Sequence, residues 1–121
     1  MRRMSVRVLV VDDEPDIREA ISELLADEGY EVDEARDGEE ALWKARAHHP
    51  GLVLLDLMMP GMNGWEFRSR QRDDPELAGI PVIVLTAVGK TSGVDGVAAF
   101  LSKPFELSDL LTTIRQHAHG A

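Results

Sequence analysis

The sequence contains no cysteine, which excludes a disulfide framework, a thiol nucleophile and any cysteine-based zinc site. Basic residues are in deficit: 13 Lys and Arg stand against 22 Asp and Glu, a formal net charge of −9. That is the wrong sign for neutralising a phosphate backbone, so direct nucleic-acid binding is not expected. No apolar run exceeds strand length, and Met1-Arg2-Arg3-Met4-Ser5 leads into a charged segment without the apolar centre of a signal peptide. These absences predict a cytoplasmic protein with no membrane segment. What is present is ordinary: 121 residues, 44% hydrophobic and 29% charged, without internal repeats or low-complexity tracts. Such a chain makes one domain over residues 1–121, its core running from about residue 5 to 118.

The run VRVLVV from Val6 to Val11 reads as a buried strand that breaks off in the acidic turn Asp12-Asp13-Glu14-Pro15. Pro15 suits a first helical turn, after which Ile17, Ala20, Ile21, Leu24 and Leu25 recur at helical spacing up to Gly29. Tyr30 to Ala35 alternates as an edge-like strand. Asp37-Gly38 opens a helix carrying Ala41, Leu42 and Ala45 to its end before Pro50. The aliphatic run Leu52 to Leu55 stops at Asp56, as a central strand covered on both faces would. After the breaker-rich Met59-Pro60-Gly61-Met62-Asn63-Gly64, a helix over Gly64–Arg72 has a thin apolar face: Phe67 anchors it, but Arg68 and Gln71 occupy the neighbouring positions. Ile80–Leu85 and Ala99–Ser102 complete the strands, and Leu107, Leu110, Leu111 and Ile114 stripe a final helix. Strands separated by helices pair in parallel through right-handed crossovers, giving a doubly wound α/β domain whose functional crevice lies beyond the carboxyl ends of its strands.

Those ends carry Asp12 and Asp13, Asp56, Thr86 and Lys103. Carboxylates gathered at one end of a sheet repel one another and suffer desolvation, so they need a cation. Oxygen ligands favour Mg²⁺ or a relative that keeps several waters. An ammonium and a hydroxyl beside that point would cradle a phosphoryl group, which a screened carboxylate can accept as a nucleophile.

With these residues in place, the chain resembles the receiver domain of two-component response regulators over nearly its whole length. The resemblance is carried by VLVVDDEPDIRE, LVLLDLMMPGMNGWE, IPVIVLTA and FLSKPFE. It implies a flavodoxin-like five-stranded parallel sheet of order 2-1-3-4-5. It also implies that Asp56 is the phospho-acceptor, and that Asp12, Asp13, Asp56 and the backbone carbonyl of Met58 hold Mg²⁺ or Mn²⁺. Thr86 and Lys103 would contact the phosphoryl group, Thr86 and Phe100 would act as the switch pair, and Lys103-Pro104 would be cis. A histidine kinase or histidine phosphotransfer protein is the implied donor, small phosphodonors are possible substitutes, and a downstream protein target would read the changed surface.

The sequence also departs from the family pattern. From Ala87 to Ser102 it runs AVGKTSGVDGVAAFLS, shorter than the usual connection by roughly one to one-and-a-half helical turns. With Gly89, Gly93 and Gly96 in it and no apolar stripe between Val88 and Val94, this stretch predicts a loop or one short turn, the fourth helix being shortened or missing. The family's usual dimer through that face is therefore not expected. The resemblance implies that Met58 and Val88 stand at the two positions flanking the reaction, and their apolar side chains cannot orient an attacking water, which predicts slow loss of the aspartyl phosphate. The small Ala87 leaves access for a donor.

Blander readings stand beside these. Asp13 or Asp16 could simply cap the first helix. Gly89-Lys90-Thr91 resembles the end of a phosphate loop, but Val84 occupies the position of the required earlier glycine, so nucleotide binding is rejected. His48, His49, His117 and His119 read as solvated residues at helix ends rather than zinc ligands. Trp43 and Trp65 read as packing residues, Trp65 also as a reporter of the adjoining loop, and Asp73-Asp74-Pro75 as a solvated turn. The leading expectation is a stand-alone receiver or a fragment of a longer regulator. The alternatives are a phosphorylation-independent receiver-like binding module and an aspartate-nucleophile phosphohydrolase. The second lacks both another Asp two residues after Asp56 and a cap domain.

Overall fold

A computed structural model of the chain describes residues 6–57, 63–87 and 96–117. Strand and helix alternate as β1 (Arg7–Val11), α1 (Pro15–Asp27), β2 (Glu31–Ala35), α2 (Gly38–His48), β3 (Leu52–Asp56), α3 (Gly64–Asp73), β4 (Val82–Ala87), β5 (Ala99–Lys103) and α4 (Leu107–His117). Helical returns between β1, β2, β3 and β4 leave successive strands pointing the same way, and all four neighbouring pairs are parallel in the order β2-β1-β3-β4-β5. β3 lies at the centre with every residue buried, whereas β2 is an edge and shows only Ala35 fully buried.

The pleat divides the strand residues between two cores. Val8, Val10, Leu52, Leu54, Ile83 and Leu85 face α1 and α4, meeting Ile21, Leu25, Leu110 and Ile114. Their alternates, Leu9, Val11, Val53, Leu55, Val82 and Val84, face α2 and α3, meeting Ala41, Leu42, Ala45 and Phe67. Helices therefore cover both faces, as the doubly wound reading requires. Ala20 and Leu107 stand outside the stripes predicted for them; Leu107 is 45% exposed, and both line a surface hollow instead.

Local chemistry accounts for the helix starts. Asp37 accepts from Glu40 N, while Glu40 reaches back to Arg36 N, and Asn63 accepts from Glu66 N at the head of α3. Neither Asp13 nor Asp16 caps α1. Its N-cap is Glu14, which makes no side-chain cap bond, and it is Asp12 Oδ1 that accepts from Glu14 N at 2.9 Å. Gly29, with φ +94°, follows the C-cap of α1 in the left-handed region that favours glycine.

Several sequence expectations are corrected. β2 begins at Glu31, and β4 begins at Val82 because Pro81 has no N–H for the ladder and contributes only its carbonyl, to Val53 N at 3.0 Å. β4 runs on to Ala87, β5 to Lys103 and α3 to Asp73. Trp43 is not a packing residue: it is 64% exposed, since α2 turns Ala41, Leu42 and Ala45 inward and leaves position 43 on the outer side. Trp65 does pack, partly buried against the α2–α3 core. His48 is more than solvated, its Nδ1 lying 2.8 Å from Asp33 Oδ2. The thin face of α3 is explained by pairing. Buried Arg68 donates to Gln71 Oε1 and Gly96 O, each at 3.0 Å, and buried Gln71 donates to Leu77 O and Ile80 O at 2.9 and 3.0 Å. The predicted loop over 88–95, with the question of a fourth helix in it, lies outside the described residues, as do Met58, Val88 and His119. Among the described residues no helix is long and apolar enough to cross a membrane.

Candidate functional site

β1 carries its buried aliphatics straight into Asp12, whose N–H still donates to Ala35 O on β2 at 3.1 Å. Asp12 is therefore buried completely, a costly place for a carboxylate unless both oxygens find donors. They do: Oδ1 accepts from Glu14 N at 2.9 Å, and Oδ2 from Lys103 Nζ at 3.1 Å. Asp56 ends β3 at 4% exposure, and its strand register with β4 puts it opposite Leu85, one residue before Thr86, itself 1% exposed. The next pairing sets Ala87 opposite Lys103, which brings the ammonium from the end of β5 over the same edge.

The carboxylates of Asp12, Asp13 and Asp56 each offer an oxygen within 4.8 Å of the others. Lys103 Nζ lies 3.6 Å from Asp56 Oδ2 and 4.0 Å from Glu14 Oε1. Burial is the largest single influence on Lys103 and depresses its pKa. The charge of Asp12, its hydrogen bond, Asp56 and Glu14 together outweigh burial and hold the ammonium above the ordinary lysine value. Lys103 is thus a fixed cation at neutral pH, yet among the described residues its single ammonium does not balance three converging carboxylates. The remaining imbalance, with oxygen donors only, fits a hard divalent cation.

Of the residues singled out in the sequence, Asp12, Asp13, Asp56 and Lys103 converge by distance, and Thr86 sits buried on the adjoining strand end. Phe100 stands apart on β5, 41% exposed. The Lys103–Pro104 bond is cis. Two residues at the site escaped the sequence reading. A Cβ at Gly64 would lie 2.7 Å from Leu57 Cα and 2.8 Å from Asp56 O, so only glycine lets the head of α3 approach the end of β3 this closely. Arg18 lies beneath the acidic pair, its Nη1 donating to Asp12 O at 2.8 Å. The first left a trace in the sequence as a glycine opening a helix; the second left only an arginine among the apolar positions of α1. Beside Lys103 opens an apolar hollow of about 510 Å³ lined by Ile17, Ala20, Pro104, Phe105 and Leu107.

Comparison with known proteins fits this geometry. The profile of the response regulator receiver domain family matches residues 8–115. Response regulator Rre1 of Synechocystis sp. is 40% identical over 117 residues, covering 91% of this chain and 50% of the relative. The DNA-binding response regulator MtrA of Mycolicibacterium smegmatis is 39% identical over 122 residues, covering 95% of this chain and 51% of the relative. The chain thus spans about half the length of the curated relatives it matches. Among solved structures, chemotaxis response regulator CheY4 of Vibrio cholerae superposes with a TM-score of 0.86 at 35% identity, covering 93% of this chain and 98% of that one.

Proposed function

The chain belongs to the response regulator receiver domain family, a family of signalling domains, and from that premise we propose that it accepts a phosphoryl group on Asp56 from a phosphohistidine of a histidine kinase or phosphotransfer protein. A carboxylate oxygen of Asp56 would form the new P–O bond as the P–N bond to the donor imidazole breaks, the ring nitrogen leaving with the electron pair and taking up a proton. Asp12, Asp13 and Asp56, with the Met58 carbonyl implied by the family resemblance, would hold Mg²⁺ or Mn²⁺, which supplies the positive charge that lets an anionic donor approach an anionic acceptor. Lys103 Nζ and the Thr86 hydroxyl would take up the phosphoryl oxygens. The observation that carries this reading is the ammonium of Lys103 bonded to Asp12 and 3.6 Å from Asp56, at the edge where three carboxylates converge.

Thr86 drawn toward the new oxygens and Phe100 turning inward from its exposed position would alter the surface at β5 for a downstream protein. The apolar hollow beside Lys103 would give a protein donor its footing next to the acceptor. The DNA binding named for MtrA belongs to that relative, and the net charge of −9 gives this chain no electrostatic reason to share it. The deciding experiment is intact-mass analysis after incubation with Mg²⁺ and acetyl phosphate. Gain of one phosphoryl group by the wild type and none by Asp56→Asn is the expected result. Equal labelling of both proteins would move the acceptor elsewhere and end this assignment.

A further inference from the structure

Every polar group of Asp12 is engaged: its N–H by Ala35 O, its two carboxylate oxygens by Glu14 N and Lys103, and its carbonyl by Arg18. That last bond matters most for the pocket, because the carbonyl belongs to the peptide unit joining Asp12 to Asp13. The six atoms of that unit, from the Asp12 Cα to the Asp13 Cα, are coplanar, so a donor that holds the carbonyl also fixes the direction in which the chain enters Asp13. The guanidinium is itself held. Arg18 Nε donates to Glu34 Oε1 on β2 at 2.9 Å, its backbone N to Glu14 O at 3.0 Å within α1, and Lys44 Nζ on α2 donates to the Glu34 carbonyl. The arginine side chain is only 18% exposed.

We propose that Arg18 is a positioning residue for the acidic pocket, its guanidinium spanning Glu34 and the Asp12 carbonyl so that the Asp12–Asp13 peptide presents both carboxylates toward Asp56. The inference rests on the receiver reading above and adds the device that preorganises its cation site. A planar fork with donors in fixed directions can satisfy a carboxylate and a carbonyl at once; an ammonium on a flexible stem cannot hold both in the same geometry.

Position and charge make opposite predictions here. A cation beside an acidic pocket opposes a second cation, so on electrostatic grounds alone its removal tightens metal binding. If Arg18 acts by holding the peptide, its removal weakens binding, by roughly 3- to 10-fold, at or below the lower end of what outer-shell partners contribute. Free Mn²⁺ measured by its electron paramagnetic resonance signal gives the affinity without any turnover, for wild type, Arg18→Met and Arg18→Lys. Thermal unfolding of each in EDTA reports the fold separately. Weaker Mn²⁺ binding by folded Arg18→Met, with Arg18→Lys intermediate, is the expected outcome; unchanged or tighter binding by Arg18→Met overturns the proposal. Should Arg18→Met not fold, Arg18→Lys decides: weaker binding supports the fork and wild-type affinity overturns it. Wild-type protein that binds no Mn²⁺, or binds it equally well as Asp13→Asn, would sink the proposed cation-dependent function itself, a result distinct from any difference among the Arg18 variants.

Discussion

Gly64 illustrates how a single missing methyl group shapes the site. A methyl group there would stand 2.7 Å from Leu57 Cα and 2.8 Å from Asp56 O, so Gly64→Ala must push backbone rather than a flexible side chain. We expect a loss of about 1–3 kcal/mol, the usual range for overpacking, read as a lower urea midpoint. Met58 is expected to act at the same scale but on lifetime. An amide there could orient a water that methionine cannot, so Met58→Asn should shorten the half-life of the phosphorylated protein, followed by intact mass after donor removal. Unchanged decay would remove the apolar-flank argument. Asp12, Asp56 and Thr86 could be singled out in the sequence because each directly ends an aliphatic run, where a polar residue has no packing reason to stand, and Asp13 and Lys103 because they follow such an end by one residue. Arg18 and Gly64 were not, because their roles depend on distances to backbone atoms that no local pattern encodes.

At the level of elements, α3 is the instructive case. A helix with Arg68 and Gln71 beside Phe67 looks too polar to dock, yet both side chains are buried and bonded, Arg68 to Gln71 and the Gly96 carbonyl, Gln71 to the carbonyls of Leu77 and Ile80. These bonds bracket the head of β4 and the approach to β5. Removing the guanidinium leaves the Gly96 carbonyl and Gln71 Oε1 without that donor, so Arg68→Leu should destabilise by about 2 kcal/mol despite adding apolar surface. A denaturant midpoint equal to the wild type would show that water substitutes for the guanidinium. The same scale explains the strand boundaries: hydrophobicity marked Ile80 as strand, but hydrogen bonding begins at Val82 because Pro81 cannot donate. Trp43 failed as a packing residue for a related reason, since α2 has one buried stripe and Ala41, Leu42 and Ala45 already fill it.

For the molecule as a whole, the proposed cation site at the acidic edge should couple folding to cations. A cation that binds the folded pocket and not the unfolded chain stabilises by linkage, about 1.4 kcal/mol when its concentration is ten times the dissociation constant. Mg²⁺ should therefore raise the melting temperature by several degrees in a saturable way, and Asp13→Asn should abolish most of that rise. Equal shifts in both proteins would assign the effect to general screening of the net charge of −9. The alternation of strand and helix and the acidic strand ends were legible in the sequence alone, because periodicity and turn chemistry are local, whereas the strand order followed only from the family resemblance and is observed in the sheet. Only the tertiary structure decided how Lys103 is shared between Asp12 and Asp56, why Gly64 must be glycine, and that Arg18 grips the Asp12 carbonyl. Those facts are distances between groups far apart in the chain, set by register and packing once the sheet has closed.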